Sequence, residues 1–286
     1  MSSLREIKDR ISSVKSTLKI TSAMKLVASS KLRKAQKAIE NLRPYERALQ
    51  EILGSVGSAP LSLPADDGVD VVSPRTAMVL ISSNSSLCGG FNANVIRKAL
   101  EVASGCGGLD VYAIGRKGAD AMRKAGVNLA GEYPELIAHP SYREASGLAA
   151  SLSESDRSGF CGRVLLVYNH FVTTSRQEVV VEQYLPLPDA GNSSWNDDSS
   201  RACDYYIVEP DPAAVVAELM PQVLSLKFYA AVLDSAAAEH AARTVAMQTA
   251  TDNAQDLLGD LTLEYNKGRQ QKITSEILDL LGGSGD

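Results

Sequence analysis

The stretch "LREIKDRISSVKSTLKITSAMKLVASSKLRKAQ", Leu4 to Gln36, decides how the rest of the chain is read. Steps of alternately three and four residues from Leu4 land on Ile7, Ile11, Val14, Leu18, Thr21, Lys25, Ala28, Leu32 and Ala35. Continued to Val56, the same steps visit sixteen positions, thirteen of them apolar, with Thr21, Lys25 and Glu46 as the exceptions. A heptad sustained over that distance is the seam of a coiled coil, not the broader face of a surface helix. It predicts a single helix from residue 4 to about 56, roughly 80 Å long at about 1.5 Å per residue. Pro44 predicts a bend, and Gly54 and Gly57 predict the end.

The same stretch carries an unusual charge. Residues 1–40 hold ten Lys or Arg against three Asp or Glu, whereas the remaining 246 residues hold 19 against 31. No acid lies between Asp9 and Glu40. Such a split points to a negatively charged partner for one end of an otherwise acidic chain. Nucleic acid is one such partner. However, the basic residues are mainly Lys, the seam runs through them, and an α/β region follows, so a basic-zipper reading is disfavoured.

The far end of the chain mirrors the first. From Pro212, a plausible first-turn proline, to Leu281 there is one further proline, Pro221. Ten of the 25 residues from Ala230 to Ala254 are alanine, the strongest helix former and one that permits close helix approach. Asp252, Asp256, Asp260 and Glu264 fall four apart, a like-charge stripe that a basic neighbour such as the N-terminal helix would relieve.

Between the helices, "TAMVLIS" (76–82), "LDVYAIG" (109–115), "RVLLVYN" (163–169), "QEVVVEQY" (177–184) and "YYIVE" (205–209) read as strands. Residues 92–104, 116–126 and 142–155 read as helices, and this alternation predicts an α/β domain with a largely parallel sheet. Residues 57–68 and 187–200 read as exposed loops. The expected organisation is an N-terminal coiled-coil helix over 1–58, an α/β domain over 70–209, and a C-terminal coiled-coil helix over 210–286. The two helices would pair antiparallel, with the α/β domain at one side.

Chemistry is sparse. Cys88 in "SLCGGFN" (86–92) sits at a strand-to-helix turn, where a thiol can be a nucleophile and glycines can cradle phosphate. Neither Gly-x-x-x-x-Gly-Lys-Ser/Thr nor Gly-x-Gly-x-x-Gly is present there, and Gly115 and Gly118 fit neither pattern. Cys88, Cys106, Cys161 and Cys203 lack metal or redox spacing, and His139, His170 and His240 are far apart in sequence. The residues therefore make no positive case for catalysis, a metal or a cofactor. The alternative kept open is an α/β nucleotide-binding enzyme with a helical arm. "MSSLREIKDR" lacks the apolar core of a signal peptide, and no continuous apolar run reaches the roughly 18 residues that cross a bilayer.

At its two ends the chain resembles a known family. "LREIKDRISSVKSTLKITSAMKLVASSKLRKAQ" is similar to the N-terminal signature of the gamma subunit of F-type, proton-translocating ATP synthases of the bacterial type. "AEHAARTVAMQTATDNAQDLL" and "LTLEYNKGRQQKITSEILDLLGG" resemble the C-terminal signature, and "SLCGGFNANVIRKAL" and "YIVEPDP" match between them. The resemblance implies an antiparallel coiled coil with an inserted α/β, Rossmann-like domain. It also implies a non-catalytic central rotor shaft that couples proton flow to ATP synthesis or hydrolysis at sites on other subunits. The implied partners are the alpha and beta subunits, the epsilon subunit and the membrane ring of c subunits. No cofactor and no nucleic acid are implied. The implied location is peripheral, at the cytoplasmic face of the cell inner membrane.

Carried over by motif, the ring contacts would be Met24, Lys25, Arg243, Gln248, Arg269, Gln270, Thr274 and Glu276, with Glu209 as the foot contact. Two departures from the family pattern stand out. Asn84-Ser85-Ser86 replaces the usual Asp-x-Gly, which leaves the turn geometry there open, and the chain ends on Gly282-Gly283-Ser284-Gly285-Asp286, implying a shorter or looser apolar tip. The loop 187–200 lacks the paired cysteines of chloroplast relatives, so no thiol switch is expected.

Overall fold

The computed structural model describes residues 4–55, 75–157, 161–186, 209 and 211–282. The expected strand at 205–209 (Glu209 apart), the loops 57–68 and 187–200, Cys203 and the last four residues lie outside this set. Helix α1 spans Leu4–Ser55 and helix α6 spans Pro212–Gly282. Pro44 lies inside α1 without ending it. Between them come β1 (Thr76–Ile81), α2 (Phe91–Ser104), β2 (Leu109–Ile114), α3 (Arg116–Lys124), β3 (Asn128–Glu132), α4 (Pro134–Ala138), α5 (Tyr142–Arg157), β4 (Arg163–Phe171) and β5 (Gln177–Leu185). Of these, β3 and α4 were not legible as elements.

The chain divides into two compact units: one formed by residues up to Ser29 and from Arg243 onward, the other by Ser30–Ala242. Each long helix contributes to both. In the first unit the helices pair antiparallel. Lys25 meets Gln248, Thr21 meets Thr251, and Leu4 packs over Gly268, so the position on α6 rises as that on α1 falls. The predicted α1 seam holds, since every position from Leu4 to Leu49 is buried or half-buried, while the lysines off the seam are exposed. On α6, Met247, Thr251, Ala254, Leu258, Leu261, Tyr265 and Gly268 form the answering seam at the same three-four spacing. Past Gly268, residues 269–278 are all exposed.

The second unit is built around a five-stranded sheet ordered β3-β2-β1-β4-β5, parallel except for the antiparallel β4–β5 edge. Central β1 explains the unbroken apolar run of its sequence. Ala77, Val79 and Ile81 face a core with Leu136, Leu148, Leu152, Phe228 and Val232. Met78 and Leu80 face a second core with Val95, Ala99 and Met122. Side chains alternate across a strand, so a strand covered on both faces needs apolar residues at every position. Within this unit, too, the long helices run antiparallel: Leu32 packs with Ala237 and Ala241, and Leu49 with Val216, Met220 and Val223.

By composition alone α6 is long and apolar enough to cross a membrane, but half of its most apolar 18-residue window is buried inside the protein. Those side chains are spent on packing.

Candidate functional site

The resemblance places most site residues on the coiled coil, in the first unit. Lys25 and Gln248 are brought together: the Lys25 ammonium donates to Gln248 Oε1 at 2.6 Å, and the Gln248 amide donates to Asp252 Oδ1 at 2.7 Å. One turn earlier on α1, the hydroxyls of Thr21 and Thr251 lie 2.9 Å apart. One proton is shared within that pair, and the other goes to the carbonyl of Leu18 or Met247. Thr21 and Lys25 are thus the two places in this unit where the apolar seam is replaced by a cross-helix hydrogen bond. A polar group at a seam position fixes register, because shifting the helices would leave it unpartnered.

The remaining residues scatter along the helices. Met24 and Arg243 are half-buried. Arg269, Gln270, Thr274 and Glu276 are exposed on the part of α6 beyond Leu4; Thr274 bonds to the Gln270 carbonyl, and Lys272 stands 3.7 Å from Glu276. Glu209 is exposed in a bend. One expectation is corrected. The stripe of Asp252, Asp256, Asp260 and Glu264 is exposed, and among the described residues none of the four is ion-paired to the basic helix. The reason is geometric: the stripe lies off the seam, on the side of α6 turned away from its neighbour.

Sequence reasoning passed over a set of exposed apolar residues. Ile20, Leu26 and Val27 of α1 are 59%, 68% and 58% exposed, interleaved with exposed Lys19 and Lys31. Val245, Leu257 and Leu263 do the same on α6. The signal was available, since each is a large apolar residue off the heptad. All six lie off the heptad seam and face solvent among the described residues.

The strand-to-helix turn after β1 is closed and well bonded. Cys88 is buried, with the Asn92 amide 3.1 Å from its sulfur. Asn92 Oδ1 accepts from the backbone of Ser83 at 3.0 Å. Asn84 resolves the question raised by the departure from the family motif: its amide donates to the Pro134 carbonyl at 2.7 Å and its oxygen accepts from Arg116 N at 3.1 Å. It ties this turn to the starts of α3 and α4. Gly115, at φ +98°, is required beside it, because a β-carbon there would sit 2.1 Å from the Ser82 carbonyl oxygen. Cys88 is therefore a packing residue of this turn, against Phe91, Ala238 and Ala242.

Comparison with known proteins decides the family. A family model described as ATP synthase matches residues 3–285. The ATP synthase gamma chain of Bacteroides fragilis is 48% identical over 289 residues, covering 99% of each chain.

The chain belongs to the ATP synthase gamma chain family.

More distant members include the gamma chain of Chlorobaculum tepidum, 37% identical over 297 residues and covering 99% of each chain. Among solved structures, a chain of the Euglena gracilis mitochondrial ATP synthase (OSCP/F1/c-ring, rotational state 3) superposes with a TM-score of 0.68. It is 20% identical and covers 98% of this chain and 93% of its own. A chain of the rotor of the same enzyme reaches 0.65 at 21% identity, covering 94% and 98%. At that identity the family shares this fold of two long helices around an inserted sheet.

Proposed function

We propose that this chain is the central shaft of an ATP synthase, turning inside a ring of alpha and beta subunits and standing, with an epsilon subunit, on a membrane ring of c subunits. It catalyses nothing itself. It transmits rotation between proton flow and the nucleotide sites of its neighbours, at the cytoplasmic face of the inner membrane. Residues 1–58 and 210–286 form the shaft and 70–209 the α/β domain that helps to make the foot, with Glu209 at the foot contact.

The observation that carries this reading is the contrast between the seam and the surface of the helix pair. The seam is continuous, closed by Thr21–Thr251 and Lys25–Gln248, so the two helices act as one rod. The surface is basic and studded with exposed Ile20, Leu26 and Val27. A rod that slides within a protein sleeve needs a surface that is attractive without being adhesive. Exposed charge pairs contribute only about 0–1 kcal/mol each, so they can guide a moving contact without locking it.

The ring contacts are Met24, Lys25, Arg243, Gln248, Arg269, Gln270, Thr274 and Glu276. Reversing the charge of Lys25 tests them. Lys25→Glu is expected to assemble but to weaken coupling between proton movement and ATP turnover. Unchanged ATP-driven proton pumping in membrane vesicles would remove Lys25 from the contact set. Copurification of the wild-type chain with alpha and beta subunits tests the shaft reading itself.

A further inference from the structure

Three polar ties run from the β4–β5 hairpin to one stripe of α6. The Tyr184 hydroxyl, fully buried, donates to the Leu224 carbonyl at 3.0 Å. Lys227 pairs with Glu182 at 2.7 Å, and the Tyr168 hydroxyl reaches the same carboxylate at 3.4 Å. Asp234 takes His170 Nδ1 at 2.5 Å on one oxygen and the backbone N–H of Phe171 at 3.1 Å on the other. Positions 224, 227 and 234 recur at heptad spacing, so they share one side of the helix.

The third tie differs from the others in what it holds. His170 and Phe171 are the last residues of β4, and the Phe171 ring packs against two clusters at once. One contains Cys88, Phe91, Ala238 and Ala242; the other contains Leu32, Ala237 and Ala241. At Phe171 the inserted sheet therefore meets α1, α2 and α6 together. Asp234 fixes the backbone from which that ring projects. Among the described residues, Arg43 and Glu46 of α1, Glu182 of β5 and Lys227 of α6 are the other charged groups that line the same cleft of about 420 Å³.

Only 19% of the Asp234 side chain is exposed, and burial raises its pKa above 3.8 despite the lowering influence of His170 and Phe171. An acid whose pKa is raised by folding binds its proton more tightly in the native state. Its stabilising contribution is present below pH 3.8 and is lost as the pH rises through the raised native value. Folding therefore favours the protonated form of Asp234 over the ionised one, and its two oxygens hold a fixed geometry on His170 and Phe171.

We infer that Asp234 is a positioning residue for torque: by holding His170 and the Phe171 backbone, it makes the α/β insert turn as one body with the shaft. This rests on the shaft reading. Load that enters at the foot through the insert must pass from strands to helices, and Phe171 is a junction at which β4 reaches α1 and α6 at once. Apolar contacts alone resist separation but are non-directional, whereas a carboxylate with two donors resists sliding as well.

The test uses the assembled complex in membrane vesicles, with ATP hydrolysis and proton pumping measured on the same sample. Asp234→Ala is expected to keep the hydrolysis rate and to lower protons pumped per ATP by about twofold to thirtyfold, the range that residues along a coupling route produce. Asp234→Glu is expected to restore most of the loss, and Asp234→Asn to lose less stability than wild type as the pH rises from 3.8. A wild-type pumping ratio in Asp234→Ala overturns the proposal. So does a parallel fall in hydrolysis and pumping, or an absence of rescue by Glu, either of which assigns the residue to structure alone. If Asp234→Ala does not assemble, the ratio is read on His170→Gln, which leaves the Phe171 bond in place, and the same outcomes decide. Failure of the wild-type chain to copurify with alpha and beta subunits is a separate result, which sinks the shaft reading.

Discussion

Two stretches of the same helix live in opposite surroundings. From Ala231 to Ala242, every residue of α6 is buried except the half-buried Asp234 and His240. From Gln255 to Leu278, every residue is exposed except Leu258, Leu261, Tyr265 and Gly268. The first stretch is covered all round by sheet, α1 and the turn after β1, and its alanines allow that approach. Among the described residues the second has one neighbour, and so it buries one narrow stripe at three-four spacing. A single helix can therefore be the core of one unit and half of a two-helix rod in another, and its composition changes accordingly. The buried stretch is secured by its own chain.

If that contrast is right, the same kind of substitution has unequal effects in the two units. The largest is expected at Phe228, fully buried on α6 and edge-on to Tyr184 at 5.9 Å between ring centres. Phe228→Ala should cost about 3–5 kcal/mol in urea unfolding of the full chain. A cost under 1 kcal/mol would mean that α6 is not the core of this unit. In the rod the effects are smaller and pairwise. Thr21→Val alone should cost about 1 kcal/mol, by removing the cross-helix partner of the Thr251 hydroxyl, while Thr21→Val with Thr251→Val should cost less than the two single changes added together. A double-variant loss equal to the sum of the two single losses would show that the two hydroxyls are not coupled. Least of all, Asp256→Asn on the exposed acidic stripe should stabilise the chain by about 0.2–0.5 kcal/mol at low salt, a gain that added salt removes. A loss instead would mean that the stripe is partnered within the chain.

Legibility in the sequence followed the strength of the repeating pattern. The α1 seam was readable because a heptad repeats often enough to outweigh the exceptions at Thr21, Lys25 and Glu46. The strands at 76–82, 109–115, 163–169 and 177–184 were readable from their Val, Ile and Leu content. β3, "NLAGE", was not, since an edge strand exposed at every second position needs little apolar content, and Gly131 looks like a breaker. α4 has five residues, too few for a helical period to show. In the candidate site, sequence motifs could name Lys25 and Gln248 but not join them. Asp234 lay in an alanine-rich run and His170 at a strand end, 64 positions apart, and neither belonged to a motif.

By itself, then, the sequence determined the long helices, the α/β insert between them and the family. These rest on local periods and on motifs, which need no knowledge of distant contacts. Only the tertiary structure decided that the seam's polar exceptions answer one another across the rod. It alone decided that the acidic stripe faces away from the basic helix, and that one half-buried carboxylate grips the end of β4. Each of these depends on which residues far apart in the chain are brought within about 3 Å, the reach of a hydrogen bond. That proximity is set by packing the whole chain, and no window of sequence contains it.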